Sequence, residues 1–145
     1  MQKEDLIQSA ESIPTCPAPS AEAFGKNGTL LAEKVSDAML ALPDLQDRIG
    51  PGNIGLMKDN HRNQAKFFHS LLVNFQPSVL VNTCAWAMGV YLQRGFNPSY
   101  WEAMLPLWLE AMRDTLPPEA FADTAPMFEW IRDHRRELLE LARQQ

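Results

Sequence analysis

Few side chains in this chain have types suited to chemistry: three histidines, His61, His69 and His134, two cysteines, Cys16 and Cys84, and the soft or hydroxylated residues Met88 and Tyr91. Imidazoles bind metals, move protons or line ligand pockets, and spacing decides among these uses. His61 and His69 stand on one expected helix about 12 Å apart, at roughly 1.5 Å per residue, which is too far to share an ion. A zinc site is therefore not expected. His61 and His134 both fall within apolar stripes, where a histidine either satisfies its nitrogens in the core or offers a polar atom to a pocket. In the run 58–64, Asn60 and Gln64 sit one turn apart on what reads as solvated helix surface, with bonding across an interface as the alternative.

Cys84 has no adjacent Lys, Arg or His to stabilise a thiolate, so it is expected to act as a small buried hydrophobe, the alternative being ligation or attachment of a tetrapyrrole. Cys16 lies far away among prolines. The two do not form a disulfide framework, and a cytoplasmic location follows as the expectation. There is no Gly-rich phosphate loop, no nucleophile elbow and no close run of metal ligands. Catalysis is not expected. The candidate ligand-binding residues are His61, His69, Cys84, Met88 and Tyr91.

The elements that must position these residues read as helices throughout. Residues 1–13 are expected to form a short helix, broken by Pro14, Pro17 and Pro19 into an irregular connector, so that 1–26 is an arm and 27–145 the helical domain. Leu30, Leu31, Val35, Ala38, Met39 and Leu42 recur at three-to-four spacing up to Pro43. A longer helix, about 53–74, carries Ile54, Met57, His61, Phe68, Leu72 and Phe75 on its buried side. Pro77 opens the next, which is apolar on several faces and ends near Gly95, a pattern expected of a helix enclosed by neighbours. Asn97-Pro98 opens another, bent at Pro106 and ended by Pro117-Pro118. The last region, about 119–143, is expected to kink or divide at Pro126. No segment alternates long enough to be a strand, so the fold class is all-α, with five or six helices packed orthogonally.

With 145 residues, 46% of them hydrophobic, the chain is long enough for one core and too short for two substantial domains. Thirteen Lys+Arg against eighteen Asp+Glu give a net charge of −5, which argues against nucleic acid and against an anionic membrane surface as partners. The charged opening residues do not resemble a secretion signal, and no apolar run approaches the roughly 18 residues of a membrane span.

The segment 91–101 (YLQRGFNPSYW), the helix ending at Leu116 and the helix carrying Trp130 together resemble a globin-type domain over about residues 28–142. A globin-like orthogonal bundle is what this resemblance implies. Where a globin's proximal histidine would stand, this chain has 87–90 (AMGV), so ordinary globin haem is not expected. The likeness then points to the non-haem sensor globins of bacteria, distantly related to phycobiliproteins, although the Arg-Asp pair that supports a bilin-linked cysteine is replaced after Cys84 by Ala-Trp-Ala. It implies a sensory or regulatory domain that binds a small apolar ligand or a signalling partner protein, as a homodimer joined through its C-terminal helices. Two alternatives stand beside it. One is a haem protein with unusual ligation by His61 with Met88 or Cys84. The other is a structural interaction module that presents an exposed aromatic patch.

Overall fold

The structure, a computed structural model, describes residues 2–144. Met1 and Gln145, the outer bounds of the two expected segments, lie outside the described residues. These residues form nine helices and no strand: α1 (Lys3–Ala10), α2 (Ala18–Lys26), α3 (Gly28–Leu40), α4 (Leu45–Ile49), α5 (Ile54–Val73), α6 (Pro77–Gln93), α7 (Ser99–Thr115), α8 (Pro118–Asp133) and α9 (Arg135–Arg143). The all-α class is as the spacing predicts. Nine helices replace the expected five or six, for three local reasons.

First, Pro17 and Pro19 start a helix instead of preventing one, because Pro17 is the N-cap of α2 and Pro19 lies in its first turn, where a missing N–H breaks no bond. Second, the turn-rich stretch after Pro43 contains the short α4, whose Leu45 and Ile49 are buried. Third, the C-terminal region divides at His134, whose φ of −110° and ψ of 13° leave the helix, and not at Pro126. Helix α8 runs through Pro126, as α7 runs through Pro106. In each case the carbonyl one turn earlier that loses its N–H partner belongs to an exposed residue, Ala122 or Glu102, and not to the core.

The helices pack in two groups. Helix α3 lies against α5 and α7, α8 lies on α7, and α2 crosses α5 and α8; α6, by contrast, lies against α9 and α1. In the first group the rings of Phe24, Phe68, Trp108 and Phe128 meet at centroid distances of 4.7 to 6.2 Å. Each buried ring contributes on the order of 2 kcal/mol. Phe24 comes from α2, and Leu6 of α1 is fully buried in the second group, so residues before 27 supply part of the molecule's core. In the second group Gly89 of α6 faces Ala142 of α9, where a β-carbon would make an ordinary 3.6 Å contact with the Ala142 carbonyl oxygen.

Two corners fix the near ends of α5 and α7. Gly50 and Gly95 adopt φ of 82° and 99°, which glycine reaches without strain, and a β-carbon on Gly50 would lie 2.8 Å from the Gly95 carbonyl oxygen. The Asn53 carboxamide donates to both the Ile49 and the Arg94 carbonyls, and the Asn97 N–H donates to the Arg48 carbonyl. This end is stapled. Among the described residues no helix is long and apolar enough to cross a membrane.

Candidate functional site

Where α6 meets the first group, a cleft of about 60 Å³ is left between α5, α6 and α7. Its walls are almost wholly apolar. Three of the five candidates, Cys84, Met88 and Tyr91, line it from α6, and Phe68, Trp101 and Met104 line it from α5 and α7. It opens past half-buried Gln64, Thr83, Ala87 and Tyr91. The reason lies in the sequence. Helix α6 carries no charged residue and turns its small and soft side chains toward bulky rings that hold the neighbouring backbones apart.

His61 does not line the cleft. It is fully buried behind it, with Nδ1 2.8 Å from Ser36 Oγ and Nε2 2.8 Å from the Tyr100 hydroxyl, which also accepts a 2.9 Å bond from Asn60 Nδ2. Burial, aided by the neighbouring Arg62 charge, pushes the imidazole down to about 3, so near neutral pH it carries one N–H. Burial likewise holds the Tyr100 phenol far above the ordinary tyrosine range. With the proton on Nδ1, every bond has one donor: Asn60 gives to Tyr100, Tyr100 to His61, and His61 to Ser36. The other tautomer runs the relay backwards, from Ser36 to His61 to Tyr100 to the Asn60 carbonyl oxygen, with the carboxamide turned over.

The open end of this chain is Asn60. Its side chain is only 5% exposed and lines the cleft, so reading it as solvated surface is corrected here. It shares the Met57, His61 and Phe68 stripe at helical spacing, and that spacing was the available signal. Gln64, on the same stripe, accepts from Trp108 Nε1 at 2.9 Å. Conversely Ile54, expected on the buried side, is 38% exposed, because the first turn of α5 extends past its neighbours. Tyr100 and Ser36 were missed; nothing in their local sequence separates them from ordinary core residues.

His69 lies apart from the cleft, on the face of α5 turned to the junction of α2 and α3. It lines a separate depression with Arg62 and Lys66, and its ring occupies the space that a Gly25 β-carbon would fill at 2.5 Å. The structure therefore does not bring His69 together with Cys84, Met88 and Tyr91. His134 belongs to a third arrangement: Nδ1 bonds the Trp130 carbonyl at 2.8 Å, Nε2 meets Ser9 Oγ at 3.3 Å, and Ser9 Oγ accepts from Trp130 Nε1 at 3.1 Å. That circuit joins α1 to the α8–α9 junction.

Burial pushes the Cys84 thiol up to about 12, so it stays protonated and is a poor nucleophile near neutral pH. The Tyr91 phenol is also raised, by burial and by Asp59, against the opposing pull of Arg94. Among the described residues no three His, Cys, Asp or Glu side chains converge on a point where a metal ion would sit. A haem held by His61 does not fit this arrangement. Both of its ring nitrogens are already bonded, and the cleft is well below the roughly 300 Å³ at which pockets for drug-sized ligands begin.

No protein-family model, no curated protein and no solved structure matches this chain.

Proposed function

We propose that this chain is a non-catalytic sensory or regulatory domain of globin-like layout, acting in the cytoplasm, whose site is the α5–α6–α7 cleft and whose ligand is a small apolar molecule. One observation carries the reading: Cys84, Met88 and Tyr91 meet Trp101 and Met104 around an apolar cleft, while the polar groups behind it are bonded to one another and none is left as a nucleophile or general base. The globin-like layout draws support from the Gly95 corner, the buried Phe96, α7 opening directly after Pro98, and the inward Trp130 on α8. A cleft of this size suits a fragment of a few heavy atoms or one flat ring lying partly in the mouth. Regulation would follow from the ligand's preference between two separations of α6 from α5 and α7, and can be no larger than that preference.

Benzene is the simplest probe. Titrated into protein with 13C-labelled methionine methyls, it is expected to shift Met88 and Met104 saturably and to leave Met39, on α3 and away from the cleft, unmoved. Equal small shifts at all methyls, or none, would remove the cleft from consideration.

A second reading, the interaction module, is favoured by Trp86. This ring is 63% exposed on the uncharged α6, beside exposed Val79. Packing between copies would then centre on α6 and the adjoining α9, so the homodimer proposed at the C-terminal helices would be carried by their neighbour as well. Sedimentation across a dilution series, with Trp86→Gln as the comparison, tests it: a species that halves in mass on dilution and is weakened by the substitution supports a dimer, and one mass throughout opposes it.

A further inference from the structure

The cleft has one polar feature that its apolar walls do not explain. Asn60 spends its Nδ2 on Tyr100, and no described residue donates to its Oδ1. Nor is that oxygen sealed in protein, since the one described side-chain atom buried without a partner is Glu137 Oε2. Oδ1 is therefore a carbonyl acceptor, on a side chain more than nine-tenths buried, that faces the cleft space.

Either tautomer of His61 leaves one atom of the carboxamide free: with the proton on Nδ1 it is Oδ1, and with the proton on Nε2 the carboxamide turns over, accepts from Tyr100 and leaves an Nδ2 proton free. Such an atom in a nearly dry cleft discriminates between guests, because an apolar guest leaves it unpaired at a cost that a hydroxyl, able to donate or to accept, avoids.

We infer that the cleft selects small neutral molecules bearing one hydroxyl, which seat it on the Asn60 carboxamide and lay a flat apolar body against Met88, Met104, Trp101 and Phe68. This rests on the cleft being the ligand site and adds the chemical class of the ligand. Anions are excluded from the class because no cation stands among the cleft's lining residues to offset the cost of drying them. The flat body follows from the sulfur and ring surfaces, which favour aromatic faces and edges.

The test compares phenol with toluene, which differ by a hydroxyl against a methyl on the same ring, using the shifts of the Met88 and Met104 methyls. Phenol is expected to bind about tenfold more tightly than toluene. In Asn60→Leu, which puts a side chain of similar volume and no acceptor in that place, toluene is expected to bind the more tightly. If toluene matches or exceeds phenol on the unaltered protein, the hydroxyl inference fails while the cleft remains the site. If neither ligand moves Met88 and Met104, the cleft reading fails and this inference falls with it. Should Asn60→Leu not fold, the phenol and toluene comparison on the unaltered chain decides alone.

Discussion

His61 and His134 are built from the same parts and used in opposite ways. Each imidazole lies between a serine hydroxyl and an aromatic residue that contributes a polar group, Ser36 and Tyr100 for the one, Ser9 and Trp130 for the other. Around His134 the circuit closes, because Trp130 supplies both an indole N–H to Ser9 and a carbonyl to the ring. Nothing is left over for a ligand, and the arrangement ties α1 in place. Around His61 the circuit stays open, because a phenol hydroxyl accepts and donates at once and so hands the chain on to Asn60 and the cleft. Whether a buried histidine serves structure or a site is decided here by the second bond of its aromatic partner.

The largest expected effect breaks the open chain at its middle. Tyr100→Phe keeps the ring and removes the hydroxyl, leaving His61 Nε2 and Asn60 Nδ2 without partners in the core, at a cost of about 2–4 kcal/mol. Urea unfolding monitored by circular dichroism measures this; a loss below about 1 kcal/mol would mean that water or rearrangement rescues both atoms.

Acid is the next lever. His61 is held down to about 3 in the folded chain, against an ordinary 6.5, so between these values the unfolded chain binds the extra proton. Its contribution to stability is complete above about pH 6.5 and shrinks as pH falls toward 3, by about 1.4 kcal/mol per unit. His61→Gln removes that titration. The gap between native and variant is therefore expected to narrow by about 2 kcal/mol from pH 6.5 to pH 5, and a gap that stays constant would show that the buried ring does not titrate this way.

Opening the closed circuit is expected to matter less. Ser9→Ala takes one atom from the loop that joins α1 to α8 and α9, and water can reach the half-buried groups left behind, so the cost is about 1 kcal/mol. Amide exchange in α1 is expected to quicken while benzene shifts at Met88 and Met104 stay the same. Any loss of those shifts would show that the two circuits are not independent. Least of all, Trp86→Gln is expected to change stability by no more than about 0.5 kcal/mol, since the ring is 63% exposed.

Helix spacing alone made the class and much of the core legible: Leu31, Val35 and Met39 of α3, and Trp101, Met104 and Trp108 of α7, are buried as their periodicity predicts. What escaped the sequence depends on context outside the local window. Proline reads as a breaker until its place in a first turn is known, which hid α2. An amide reads as surface until the facing helix is known to carry a hydroxyl, which hid Asn60 and its tie to Tyr100 across forty residues. Of the site, Cys84, Met88 and Tyr91 were legible as one helix face, whereas His69 was grouped with them only because it too is a histidine.

The staple between the Gly50 and Gly95 corners bears on how the cleft gives way. Asn53 ties the start of α5 to the Arg94 carbonyl at the C-cap of α6, and the Asn97 N–H ties the start of α7 to the Arg48 carbonyl, so the staple gathers one end of all three cleft walls, while α5 and α7 also rest on α3. The third wall, α6, leans instead on α1 and α9. A guest pressing between them would act as a wedge in a seam closed at the stapled end, so widening is expected at the opposite end, where α6 begins.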